Sequence, residues 1–235
     1  MSQPVCIVSV GVGSWYPKGI DRLRESMKAL PLRRPSGEVF DPFFAMLWRD
    51  QYPPGSPTHA ERPYAFKAAA IRDARERGYT RVLWLDAADW FIADPAPLFA
   101  YLASNPGFFM VDGWNVGQWC ADHALAPLGI TREESFAIPL LWSNAFGFNF
   151  DRPEAVDVFD EFERLALRTN AFRGPWRNDD KSASADPRVL GHRHDQTALS
   201  VLVHRHRLPT IPCGESFVQS RANATQAAVI LAEGM

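Results

Sequence analysis

Three carboxylates, Asp86, Asp89 and Asp94, fall within nine residues at the end of the stretch "RVLWLDAADWFIAD". Closely spaced carboxylates can ligate a hard divalent cation such as Mg²⁺ or Mn²⁺, which in turn can neutralise phosphate charge. A second concentration of chemistry lies in "GHRHDQ", where His192 and His194 flank Arg193 and precede Asp195 and Gln196. Two imidazoles at i and i+2 of an extended segment point to one side and suit Mn²⁺ or Zn²⁺. Each group also has an ordinary structural use: Asp86 can brace a loop, Asp94 before Pro95 can start a turn, and Asp195 can cap a helix.

The elements that must position these groups alternate between strand and helix. Four consecutive apolar residues, Val82 to Leu85, read as a strand buried on both faces, which puts Asp86 at a C-terminal strand end, where open α/β sheets bind ligands. The helix before it, "ERPYAFKAAAIRDARERGY", has Phe66, Ala69, Ala70 and Ala74 at helical spacing and stops at Gly78, with Lys67 interrupting the apolar face. "VCIVSVGVG" (5–13) reads as a buried first strand whose Gly11 and Gly13 permit a tight turn near a ligand, without the full GxGxxG spacing.

Elsewhere, residues 17–30 read as a short helix, "GEVFDPFF" as a second strand or edge segment, "PAPLFAYLA" as a helix and "GFFMVDGW" (107–114) as a strand. Thr131 and Glu134 stand at capping-box spacing. "AFGFNFD" (145–151) suits a strand with one exposed face, and 152–168 a helix burying Val156, Phe159, Phe162 and Leu165. Residues 169–190 carry no pattern, as expected of a lid or mobile insertion. A helix follows from its N-cap at Asp195, burying Ala198, Leu199, Leu202 and Val203. "PTIPC" reads as a final short strand, and the tail from Ser220 as a docked helix or a frayed end. The expected fold is α/β: one Rossmann-like domain over 1–235 with a mostly parallel mixed sheet flanked by helices.

Composition narrows the function classes. With 235 residues, 46% of them apolar, the chain can bury one substantial core. A net charge of −2 from 25 basic and 27 acidic residues leaves no global footprint for nucleic acid. Cys6, Cys120 and Cys213 are far apart and lack CxxC spacing, which points to a reducing, cytoplasmic setting. No apolar run approaches the roughly 18 residues of a membrane span. Eight tryptophans and sixteen phenylalanines imply a well-filled core or stacking surfaces for flat or sugar-like ligands.

In their order, "YAFKAAAIRDARERGY", "VLWLDAADWFIADPAPLF", "WSNAFGFNFDRP" and "GHRHDQTALSVLVHRHRL" resemble the nucleotide-diphosphosugar transferases, the glycosyltransferases of the A-type fold, over roughly residues 60–208. The resemblance implies transfer of a sugar from a nucleotide-diphosphate sugar, a UDP-sugar first among donors, to a hydroxyl acceptor. It implies that Asp86 contacts the donor ribose or a metal-bound diphosphate, and that Asp195, Gln196 and Asn144 orient the sugar. Trp142 would stack on a ring. Lys67 would brace the acidic loop or the diphosphate, Gly11 and Gly13 would lie at the donor, and Arg173, Arg177 and Lys181 would close over the diphosphate.

The implied cation is Mn²⁺ or Mg²⁺, with Asp86, Asp89, His192 and His194 as its candidate ligands. The family's second acid falls here at Ala88, one residue before Asp89. Three arrangements follow: Asp86 with Asp89, Asp86 with a downstream histidine, or a metal-free site of cationic and backbone donors. No general base is singled out. Two other functions fit the same residues: a nucleotide-sugar or carbohydrate binder without transfer, which Ala88 favours, and a metal-dependent hydrolase using His192, His194 and aspartates.

Overall fold

The computed structural model describes residues 5–30 and 43–233. Strand β1 (Val5–Gly11) is buried along its whole length, and helix α1 (Tyr16–Ala29) turns back over it, burying Ile20, Leu23 and Met27. Strand β2 (Phe43–Arg49) pairs parallel to β1 from Val5↔Phe43 to Gly11↔Arg49. The part of "GEVFDPFF" before Phe43 lies outside the described residues. Helix α2 (Ala65–Glu76) then delivers the chain through Gly78, at φ +90°, into β3 (Arg81–Leu85) on the other side of β1.

After β3 come β4 (Asp89–Phe91), α3 (Ala96–Ser104), β5 (Gly107–Phe108), β6 (Met110–Asn115), α4 (Asp122–Leu128), α5 (Arg132–Phe136), β7 (Pro139–Leu141) and β8 (Ala145–Asn149). The chain closes with α6 (Pro153–Arg168), α7 (His194–Arg205), β9 (Ile211–Pro212), β10 (Val218–Ser220) and β11 (Ile230–Ala232). These strands form three sheets among the described residues, in the orders β2-β1-β3-β8-β5, β10-β11-β4 and β7-β6-β9. The architecture is therefore α/β with mixed sheets and flanking helices, and it departs from the single, mostly parallel Rossmann sheet expected: β8 runs antiparallel to both β3 and β5.

Alternation along β1 and β3 divides the core. Cys6, Val8, Val10, Val82 and Trp84 face α2, α6 and α7, while Val5, Ile7, Leu83 and Leu85 face α1, α3 and the C-terminal strands. Helix α6 presents Ala155, Val158, Phe159, Phe162, Leu165 and Ala166 to the first of these cores. Val156 is only half-buried, because a strict three-residue step drifts around a 3.6-residue helix. Thr131 and Glu134 make the expected reciprocal cap of α5.

Several expectations are corrected by long-range pairing. "GFFMVDGW" is split at Phe109: Gly107–Phe108 stays in the main sheet and Met110–Asn115 starts another. β8 is buried throughout instead of having an exposed face, since it lies between β3 and β5 with helices on both sides. "PTIPC" does supply a strand, β9, although two more follow it. As far as residue 233 the tail is not a docked α-helix or a frayed end: after a single 3-10 turn at Arg221–Asn223, β11 pairs antiparallel with β4, Leu231 opposite Trp90. Asp195 lies inside the first turn of α7, with Arg193 at the cap position. No helix among the described residues is long and apolar enough to cross a membrane.

Helix α1 sits unusually close to the acidic turn between β3 and β4. A Cβ on Gly19 would lie 2.1 Å from the carbonyl oxygen of Ala87. Exposed or roomy helical glycines gain stability on mutation to alanine, so the sign at this position is diagnostic. Gly19→Ala is expected to destabilise the fold by about 1–3 kcal/mol through overpacking, seen as a lower melting temperature in thermal denaturation. A higher one would mean that α1 does not clamp the turn.

Candidate active site

The centre of the site is a buried ammonium. Lys67 on α2 is 2% exposed, and its Nζ lies 3.0 Å from Asp86 Oδ1, 3.0 Å from Asp195 Oδ2 and 2.8 Å from the carbonyl oxygen of Ser143. The Ser143 carbonyl accepts a hydrogen bond, while the two carboxylates meet the ammonium as ion pairs. Burial opposes the charge on Lys67, but Asp195 and Asp86 outweigh it and hold its pKa above the ordinary lysine value. The lysine thus ties the end of β3, the first turn of α7 and the segment before β8 to α2. It braces the loop and is too fully engaged to be a free cation.

Asp86 Oδ1 also accepts from Trp84 Nε1 at 2.8 Å. Its side chain is 33% exposed, so one edge of the carboxylate still faces outward. Asp89 behaves differently. Residues 86–89 close a turn, with Asp89 N–H donating to Asp86 O at 2.9 Å, and the Asp89 carboxylate folds back to accept from the Asp86 N–H at 3.1 Å and from Asn144 Nδ2 at 3.2 Å. It is wholly buried, and burial, reinforced by the charge of Asp86, pushes its carboxyl well above the usual carboxylate range. The turn re-aims the residue after Ala88 inward, so Asp89 braces the loop that presents Asp86.

A cavity of about 260 Å³ opens beside the outward edge of Asp86, at the C-terminal ends of β1 and β3. Its walls include Tyr16, Tyr52, His59, Tyr64 and Trp84, with Val10 and Val12 beneath. Tyr64 and His194 touch at 5.4 Å, and both adopt left-handed backbone conformations, φ 59° and φ 45°, at the starts of the two helices that carry Lys67 and Asp195. Such strain in non-glycine residues persists only where packing enforces it, and it clusters at functional sites.

The remaining candidates divide. Asn144 joins the cluster through Asp89 and leaves its buried Oδ1 without a donor among the described residues. Gln196 faces away from Lys67, its Nε2 3.5 Å from Asp112 Oδ2. Gly11 lies under α1, where a Cβ would be 2.5 Å from Tyr16 O, while Gly13 takes φ +109° in the open turn above it. His192 accepts from Ala121 N–H at 3.2 Å and so donates from Nε2 to Ala171 O at 2.8 Å. Burial, with a smaller effect from His194, pulls its pKa down to about 3, which fixes it as a neutral core imidazole. His194 Nδ1 pairs with Phe172 O at 2.8 Å. Trp142 packs with the core beneath α1, and Arg173, Arg177 and Lys181 are exposed on the 169–190 loop.

Among the described residues, no group of three or more His, Cys, Asp or Glu side chains is arranged to hold a metal ion. Mg²⁺ and Mn²⁺ are commonly held by one or two carboxylates together with substrate phosphates, so the outward edge of Asp86 fits an ion that enters with a diphosphate. Sequence reasoning missed the aromatic walls, because Tyr16, Tyr52, His59 and Tyr64 come from separate loops and helix starts. The signal for Lys67 was present: a single cation in "AFKAAAI", surrounded by alanines that must be buried.

Mixed sheets flanked by helices, with a cavity at the C-terminal ends of parallel strands, are broadly those of an A-type glycosyltransferase fold. A glycosyltransferase involved in the glycosylation of the major capsid of PBCV-1 superposes with a TM-score of 0.50 over 97% of this chain and 94% of its own, at 12% identity. That likeness concerns the fold. No family model matches the sequence, and no curated protein matches it either.

Replacing Lys67 by an apolar side chain leaves Asp86 and Asp195 without their counter-charge. Lys67→Met is expected to cost about 3–5 kcal/mol at neutral pH, with part of the loss recovered in acid as the carboxylates protonate; urea denaturation at pH 5 and pH 8 measures both. An equal loss at both pH values would show that the lysine matters for packing alone. For Asp89, a pKa raised by folding contributes stability fully below its unfolded value near 4 and loses it as pH rises through the folded value. Asp89→Asn is therefore expected to flatten the fall in unfolding free energy above pH 4, and an unchanged pH profile would refute the assignment.

Proposed function

We propose that this protein transfers a sugar from a nucleotide-diphosphate sugar to an acceptor hydroxyl. The observation that carries the reading is the position of Asp86: held on one oxygen by Lys67 and Trp84, it presents its other edge to an aromatic cavity at the strand ends. Flat rings suit a nucleobase, and an outward carboxylate suits ribose hydroxyls or a cation on the diphosphate. The fold likeness to a glycosyltransferase supports the same class.

In this reading Lys67 is a positioning residue. It holds Asp86 and Asp195 in place, so that no reorganisation is needed when the donor enters. Asn144, whose Oδ1 lacks a donor, offers an acceptor for a sugar hydroxyl. Mg²⁺ or Mn²⁺, when bound, would offset the charge developing on the departing diphosphate, with Asp86 as the chain's ligand to it. Residues 169–190 would close over the donor and exclude water, which competes with the acceptor.

The test is a thermal-shift panel of UDP, GDP, CMP and their sugars with Mg²⁺, Mn²⁺ or chelator. A ligand at 100 times its dissociation constant stabilises the folded state by about 2.7 kcal/mol, a shift of several degrees. One nucleotide is expected to give this shift with metal present and a smaller one in chelator. Asp86→Asn is expected to abolish both shift and transfer while its own melting temperature falls by only a few degrees, since asparagine still offers an oxygen to Lys67. No shift with any nucleotide would overturn the proposal. A shift without turnover on any acceptor would make the protein a binder of the same fold.

A further inference from the structure

The first turn of α7 serves two directions. Asp195 meets Lys67 below the cavity, while Gln196 reaches Asp112 on β6 at 3.5 Å. The residue starting the turn, Arg193, places its guanidinium 3.9 Å from the ring centre of Trp119 and 3.8 Å from that of Trp176. Trp119 in turn meets Trp114 edge-on at 5.9 Å, and Trp176 lies 6.4 Å from Tyr64 in the cavity wall. A band of rings and planar polar groups therefore runs outward from the cavity across α7 to β6.

Trp114 and Trp176 are each 47% exposed, and with Trp119 and Arg193 between them they belong to one continuous band, the kind of surface that marks a binding site. The groups between them select what binds there. A 3.5 Å contact is the outer limit of a hydrogen bond, so Asp112 and Gln196 keep acceptor and donor capacity for a ligand. Asp112 is only half-buried, and burial lifts its carboxyl above the ordinary value against the opposing pull of Gln196 and Arg193. Exposed indoles next to a carboxylate, a carboxamide and a guanidinium match a pyranose, which has an apolar C–H face and a rim of hydroxyls. A lipid would need continuous apolar surface, which Arg193, Asp112 and Gln196 interrupt.

We infer that Trp114, Asp112 and Gln196 form the acceptor subsite and that the acceptor is itself a saccharide, its ring on the exposed Trp114 indole and its hydroxyls on Asp112 and Gln196, with Trp176, stacked on His194 and Arg193, at the border toward the cavity. Arg193 holds Trp119 and Trp176 in place between the helix and the 169–190 loop. The inference rests on the glycosyl-transfer reading for the word acceptor, and on the band alone for the word saccharide.

Saturation-transfer difference NMR on the full chain tests it, with soluble trisaccharides of glucose, galactose, mannose and N-acetylglucosamine as probes. At least one is expected to show transfer to its ring C–H protons, with a dissociation constant raised about tenfold in Trp114→Ala and in Asp112→Asn. Both variants are expected to keep their circular-dichroism spectra, since neither side chain is in the core. Absence of any saccharide signal, or a signal that both substitutions leave unchanged, overturns the inference. If the wild-type protein still binds a nucleotide in that case, the transferase reading stands without it. Saccharide binding at the band with no nucleotide binding would keep the subsite and remove the transferase reading.

Discussion

Everything at this site depends on one charge placed where a charge is expensive. The ammonium of Lys67 has left water entirely, and only the convergence of two carboxylates and a carbonyl makes that tolerable. Convergence demands that α2, the end of β3, the start of α7 and the chain before β8 meet within hydrogen-bonding distance of one atom. The ammonium stays charged throughout the neutral range, because its partners hold the lysine pKa above the ordinary value. An apolar residue in its place would fill the same volume, but it would leave Asp86 free to turn and Asp195 without a counter-charge. The lysine's contribution is therefore both orientation and charge balance for the two carboxylates.

The acidic turn is held from the far side with equal care. Arg22 of α1 donates to Ala88 O at 2.8 Å and pairs with Glu233 at 2.6 Å, just beyond β11. Its guanidinium also lies 4.0 Å from the ring centre of Trp90. Gly19 brings the same helix against Ala87 O. A turn of two alanines between two aspartates would otherwise be mobile, and an Asp86 that wanders by 1 Å is a poor ligand for anything. The C-terminal strand thus acts on the site at a distance, through β4.

How much of this was legible follows from the range of the interactions. The β3 strand, the α6 helix, the α5 cap and the position of Asp86 are local patterns, and each is present as read. The inward turn of Asp89 was not, since period-two reasoning along an extended chain breaks down at a turn. Asp195 had every local mark of an N-cap, but a buried cation from a helix more than a hundred residues earlier claimed its side chain. His192 and His194 carried the right types for a metal, yet the 169–190 segment offered them carbonyls at Ala171 and Phe172 first. Strands of three residues such as β10 and β11 owe their state to the partner they pair with, which no window of sequence contains.

The first turn of α7 explains why these features belong to one device. Arg193, His194, Asp195 and Gln196 are consecutive, yet they address respectively a tryptophan pair, the cavity wall, the buried lysine and a half-buried carboxylate. Consecutive helical residues point about 100° apart, so a single turn can serve the cavity on one side and the surface band on another. The left-handed backbone of His194 is what lets the chain enter the helix at the angle that achieves this. The shortest link between the cavity and the surface band is that one helical turn, anchored from below by the ion pair of Asp195 with the buried Lys67.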